Sequence, residues 1–425
     1  PWYRTTTDGA AWTAMTDGTL TWQAPWYRTN FFRASTFALA FDPHQAGRLW
    51  LSDWYQPWRT EQAGTSPAAW SAKVLGHEQT VITGSGLLCP PAPGPRLVSA
   101  VADHGGFAHG DPDAWPMVLT GSGRMATAWN ATGLAAQESN PARLVAVGMY
   151  GHDDLANTSP FTNCGTSSDG GATWTRISAV AGSGHLTGGR VAITATGSRV
   201  VWATDQGVWY GDLPSPTWTK ATGPTDAAAS GSLWNWDQPL AADAVTAGRF
   251  YLYQNGAIWR SDGGAAWAPV ATGLPTATNT QHSLLAEPGV AGKLWLRLNA
   301  QLRRSTNGGA TWTQLTALSD VRQIGLGLRP DGSGTAVYAL ATVGEVEGLH
   351  RSDDDGATWT RIDNGGLGNI QGWTNAVTIA GDRQVPGVVH VSSNGSGIMV
   401  GRISANAAPV ISVPATASPA AAALP

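Results

Sequence analysis

The chain is 425 residues long, with 53 Gly, 26 Pro and 22 Trp, only 13% charged residues and a formal net charge of −4. So few charges beside so many aromatics exclude an intrinsically disordered chain, and the density of Gly and Pro excludes a coiled coil or helical solenoid. The scattered basic residues offer no nucleic-acid groove, and no apolar run reaches the roughly 18–20 residues of a membrane span.

The chain opens at Pro1, without the basic, apolar and small-residue regions of a signal peptide, and so reads as a processed mature chain or a fragment. Pro1-Trp2-Tyr3-Arg4-Thr5 returns unchanged at residues 25–29. That spacing is too short for a sheet-sized repeat. From there on, apolar or alternating stretches at 48–51, 144–147, 200–203, 249–253, 293–296 and 336–340 read as strands. A second strand follows each, as at 257–260, and ends in a turn of fixed composition.

That turn is S-x-D-x-G-x-T-W. It stands at Ser167–Trp174, with Asp169, at Ser305–Trp312, with Asn307, and at Ser352–Trp359, with Asp354. Decayed copies end at Trp12, Trp70, Trp218 and Trp267. Ser and Asp can cap amides within the turn, Gly permits positive φ, and Thr-Trp starts a strand that buries an indole. The box residues Asp169, Trp174, Asn307, Trp312, Asp354 and Trp359 therefore read as fold residues. Trp174, Trp218, Trp267, Trp312 and Trp359 are 44, 49, 45 and 47 residues apart. This is the roughly 40–50-residue period of a four-stranded propeller blade.

The expected fold is therefore all-β: a β-propeller of four-stranded antiparallel blades. Eight units can be counted, at 37–70, 95–135, 140–174, 197–218, 247–267, 291–312, 335–359 and 386–403. Seven blades are favoured, which leaves 1–70 as a stub, and eight is the other closure. As domains, 1–36 reads as the remnant of a preceding blade, 37–403 as the propeller, and 404–425 as a Pro/Ala-rich tail unable to pack a core. Trp202, Trp295 and Tyr338, inside strands, read as core.

Cys89 and Cys164 are too few for a structural zinc site. They form either one disulfide or two buried thiols. No phosphate loop, dinucleotide fingerprint or metal-ligand spacing occurs, so no cofactor and no metal are expected. Asp103 follows an apolar strand and precedes Gly105-Gly106, where it is either a functional strand-end residue or a turn cap. His109 and Asp111 follow on what reads as the same loop, able to orient Asp103 or a sugar, or simply exposed. Glu78 is a reserve carboxylate. Tryptophans in polar, Pro- or Gly-rich loops (Trp54, Trp58, Trp115, Trp234 and Trp236) either stack on sugar rings or pack between blades.

The box is the Asp-box of sialidases, sortilin-like receptors and the xyloglucan-specific endoglucanases of glycoside hydrolase family 74. The residues outside it narrow the choice. Residues 97–109, LVSAVADHGGFAH, resemble the segment that opens the second propeller of family 74. Residues 41–61, 138–145 and 388–398 resemble other blades of that family, in the same order. The resemblance implies two seven-bladed propellers around a cleft and inverting hydrolysis by two Asp residues, one from each propeller. It places the general acid at Asp103 and the base in a propeller that this chain does not contain. A β-glucan or xyloglucan-type polysaccharide, a missing N-terminal propeller or protein partner, and an extracellular or periplasmic location follow as expectations. A non-catalytic glycan-binding or assembly module is the alternative.

Overall fold

A computed structural model describes residues 2–22, 32–33, 36, 38–53, 56–72, 82–101, 105–114, 130–149, 161–178, 186, 188–204, 206–224, 239–277, 282–363, 376–393, 397–402 and 410–412. Its regular structure among these residues is all strand. The chain divides into one unit over Pro1–Gln79 and a second over Thr80–Ala415. Residues 37–70, counted with the propeller in the domain division and left as part of a stub by the seven-blade closure, lie in the first unit.

The second unit is a β-propeller. Among the described residues it holds seven antiparallel sheets, six of four strands and the first of three. Each sheet is built from one continuous stretch of chain. The first holds Ile82–Leu88, Leu97–Val101 and Gly105–His109, and the seventh starts with Ala376–Gly381 and Val388–Ser393. The innermost strands of all seven, including Arg190–Ile193, Leu240–Ala242, Ser283–Ala286 and Ser319–Leu328, line one mainly apolar cavity of ≈ 250 Å³. The expected linker is not wholly linker: Val410–Ser412 pairs with Ile398–Arg402 as the outer strand of the seventh sheet. The β-branched pair Val410-Ile411 gives it the strand preference that its Ala/Pro surroundings hide.

The repeated turn joins the third and fourth strands. Ser167 Oγ accepts from Gly171 N at 2.9 Å and donates to Asp169 Oδ1 at 2.8 Å. Asp169 also accepts from Thr173 N and Thr173 Oγ1, and Trp174 Nε1 donates to Gly171 O. The copy at Asp354 repeats these bonds, and hydrogen bonds from Thr358 hold its carboxyl down at about 2. In the third copy Asn307 Nδ2 donates to Thr311 Oγ1, so the threonine hydroxyl changes from donor to acceptor and the turn keeps its shape. Asn307→Asp is accordingly expected to change stability by no more than about 0.5 kcal/mol at neutral pH. Its new carboxyl, held below the ordinary value, would add stability above about pH 4 that is lost on acidification. Thermal melts at neutral and acid pH check this.

In the second unit each box tryptophan packs back onto the preceding sheet. Trp174 clusters with Val98 and Ala100 of the first sheet, Trp218 with Val145 and Val147 of the second, and Trp267 with Val201 and Ala203 of the third. Trp312 packs on Tyr251 and Ile258 of the fourth, and Trp359 on Trp295 and Leu302 of the fifth. Trp202, Trp295 and Tyr338 are fully buried. The box is thus a joint between sheets as well as a turn.

A second repeated joint lies at the end of several innermost strands. Thr194 Oγ1 accepts from Gly248 N of the next sheet, and Asp243 Oδ2 from Gly292 N of the next. Gln137 Nε2 donates to Thr194 O and Gly197 O. One polar side chain thus ties each of these sheets to its successor.

The first unit holds a two-stranded hairpin, Trp2–Arg4 with Thr13–Met15, and a five-stranded sheet. The sheet runs Asp17–Thr21, Ala68–Ala72, Pro57–Thr60, Leu49–Ser52, Ala38–Phe41 across its width, with the first pair parallel. Its core is aromatic: Phe32 meets Trp58 at 4.6 Å and Trp70 at 5.8 Å, and Trp2 meets Trp70 edge-on at 5.8 Å.

Candidate functional site

Antiparallel order gives the ring two unlike ends. The polar joints and the boxes lie at one, the turn end. At the other, the loop end, lie the connections from second to third strand and from each outer strand to the next sheet. Asp103 falls in the connection between Leu97–Val101 and Gly105–His109, whose flanking residues Val101 and Gly105 pair at the loop end. Gly105, at φ 81, turns the chain there. Trp234 and Trp236 fall between Thr219–Lys220 and Leu240–Ala242, a connection that leaves from the same end. Asp103, Trp234 and Trp236 themselves, like Glu78, Trp54 and Trp115, lie outside the described residues.

The structure corrects two readings and decides between the two offered for the cysteines. His109 does not share a loop with Asp103. It closes the Gly105–His109 strand opposite Leu97, roughly 13 Å along the strand from Gly105 at about 3.3 Å per residue. It is 4% exposed, with its Nε2 3.5 Å from Ser99 Oγ. Asp111 lies beyond it at the turn end, exposed, accepting from Asp113 N. The Gly-Gly pair misled the sequence reading, because it opens a strand instead of continuing a loop.

Trp58 is not a loop tryptophan. It lies in the Pro57–Thr60 strand at 0% exposure, and its Nε1 donates to Asp53 at 2.8 Å. Pro57 suggested a loop, but it sits at the first strand position, where proline is tolerated.

Cys89 and Cys164 form no disulfide; both are buried free thiols. Cys164 packs between the second and third sheets, whereas Cys89 sits where the first sheet meets the seventh. Burial raises both thiols above the ordinary range, so neither is a nucleophile at neutral pH. Among the described residues no group of three or more His, Cys, Asp or Glu could hold a metal ion.

The candidate site is therefore the set of connections at the loop end of the ring, among them those into which Asp103, Trp234 and Trp236 fall in sequence. The sequence reading missed the polar cluster at the turn end, formed by Arg96, Asp382 and His390. Its signal was present: an Asp, Glu or Thr ending the inner strand, then Gly about five residues on, as at Asp42–Gly47, Asp243–Gly248, Glu287–Gly292 and Asp382–Gly387.

Comparison with known proteins fits this ring. No protein-family model matches the chain. A xyloglucanase from Paenibacillus sp. is 34% identical over 324 residues, 74% of this chain and 29% of that protein. An oligoxyloglucan-reducing end-specific xyloglucanase of Emericella nidulans is 27% identical over 398 residues, 85% of this chain and 46% of that one. The crystal structure of the GH74 xyloglucanase from Xanthomonas campestris matches with a TM-score of 0.75 and 26% identity, covering 95% of this chain and 55% of that one. The chain is an all-β propeller protein. More particularly, it is related to the family 74 glycoside hydrolases in both sequence and fold. It spans less than half the length of these two curated relatives.

Proposed function

We propose that this chain is the acid-bearing half of a secreted β-glucan hydrolase of xyloglucanase type. Asp103 protonates the glycosidic oxygen as it leaves. A carboxylate on a second ring, outside this chain, activates the water that attacks from the opposite face. Inversion needs the two carboxyl groups about 6.5–9.5 Å apart, with room for that water between them. Trp234 and Trp236 offer indole faces to the sugar rings.

The observation that carries the two-part reading is the incomplete surface of the first unit. Its strand Ala38–Phe41 is exposed at all four residues, with Phe41 at 66%, whereas the innermost strand Arg190–Ile193 of the propeller is buried throughout. Its first box tryptophan, Trp12, is 62% exposed, although its second, Trp70, is buried, whereas Trp174, Trp218 and Trp267 are covered by a preceding sheet. Surfaces that neighbouring sheets cover elsewhere in this chain are here bare, and a second ring of the same repeat would cover them.

Calorimetric titration of the chain with xyloglucan oligosaccharides tests the glycan part. Heat-releasing 1:1 binding is expected, because the loop end belongs to this chain. Absent binding, together with stable association into a larger assembly, would favour the non-catalytic assembly reading.

A further inference from the structure

Among the described residues the seventh sheet shares no strand with the first, because each is cut from its own stretch of chain. Side chains help to close the ring. Asp382, at the end of the Ala376–Gly381 strand, holds the place that Asp243 and Thr194 hold in other sheets. Its Oδ2 accepts from Arg96 Nε of the first sheet at 2.8 Å and faces His390 Nε2 at 3.3 Å. Its Oδ1 accepts from the amides of Gln384 and Val385. The next two residues extend the closure. Arg383 pairs with Glu138 of the second sheet at 2.7 and 2.8 Å, and Gln384 Nε2 donates to the carbonyls of Pro90, Gly94 and Pro95.

Asp382 and His390 are both 0% exposed. His390 Nδ1 is buried and meets no hydrogen-bond partner among the described residues. A neutral imidazole that donates from Nε2 to Asp382 suits this place. A protonated one gains a second N–H with nothing among the described residues to receive it. Among the described residues, the charged and titratable groups facing the cluster are Asp382 and Arg383 from the seventh sheet, Arg96, Cys89 and His109 from the first, and Tyr338 from the sixth. Asp382 is the anion beside the imidazole, and Arg96 already neutralises it. Burial keeps the His390 proton affinity below its ordinary value in spite of Asp382. A histidine depressed in the folded state supports folding fully above about pH 6.5 and withdraws that support as pH falls below it.

We propose that the last-to-first joint is an acid-released clasp: protonation of His390 opens the ring there while the other joints hold.

Cys89 lies in this joint, 4% exposed, and Cys164 lies between the second and third sheets, 0% exposed, so the chain carries its own reporter and reference. The test follows their labelling by dithiodipyridine, which reacts with thiols in acid, from about pH 7.5 to about pH 5. The ratio of Cys89 to Cys164 labelling is expected to rise roughly tenfold or more in the wild type and to stay flat in His390→Gln. A ratio that stays flat in the wild type, or rises equally in His390→Gln, overturns the proposal. Hydrogen exchange on the wild type gives a reading that needs no variant. Leu97–Val101 and Val388–Ser393 are expected to lose protection in acid while Leu294–Leu298 keeps it, and equal loss in all three overturns the proposal.

Discussion

Asp382→Ala is expected to destabilise the propeller by about 3–5 kcal/mol, because it leaves Arg96 facing a buried site with its counter-charge removed. Asp382 is wholly buried, and its carboxyl stays ionised. Burial alone would raise it, but hydrogen bonds from His390, Arg96 and two amides outweigh burial and hold it at about 2. Four donors thus converge on one carboxylate, and alanine would strand all of them. Arg383→Ala removes a neighbouring pair whose two side chains remain 19% and 28% exposed, so its loss should lie near about 1 kcal/mol. Urea melts of the two variants provide the comparison. A loss below about 1 kcal/mol for Asp382→Ala would class it with surface pairs and remove it from the ring closure.

Asp103→Asn should have the largest effect on activity. In any polypeptide that contains this chain and hydrolyses xyloglucan, kcat should fall roughly 100- to 10,000-fold, the usual contribution of a positioned proton donor. KM should change little, because an amide keeps the shape and most of the hydrogen bonding of the acid. Asp111→Asn is the control. Asp111 lies at the turn end of the Gly105–His109 strand, so its replacement should leave kcat within about threefold. A variant pair that behaved the other way round would move the acid out of the Asp103 connection.

The period of the box tryptophans carried the fold. Each lies on one turn that joins two strands and packs on one neighbouring sheet, so a single large residue marks both blade and joint. Trp202, Trp295 and Tyr338 were legible as core for a related reason: they sit in strands with no polar neighbours to suggest exposure. Trp58 was not legible, because the indole that anchors the first unit follows a proline and lies among polar residues. What meets it is Asp53, through its indole N–H, and Phe32, which itself leans on Trp70; sequence spacing does not bring these rings together. His109 failed for a different reason. Two glycines look like the middle of a loop, yet Gly105 and Gly106 pair with Val101 and Ala100 and start a strand that carries His109 away. The clasp was hidden because Asp382 and Arg96 are 286 residues apart in sequence, and only closure of the ring makes them neighbours.

The two-part reading has one direct measurement: release of reducing ends from xyloglucan, by residues 1–425 alone and by the longest natural polypeptide that contains them. The account predicts no hydrolysis by the chain alone, hydrolysis by the longer polypeptide, and loss of that hydrolysis on Asp103→Asn. Full hydrolysis by the chain alone, or by the longer polypeptide carrying Asp103→Asn, would contradict it.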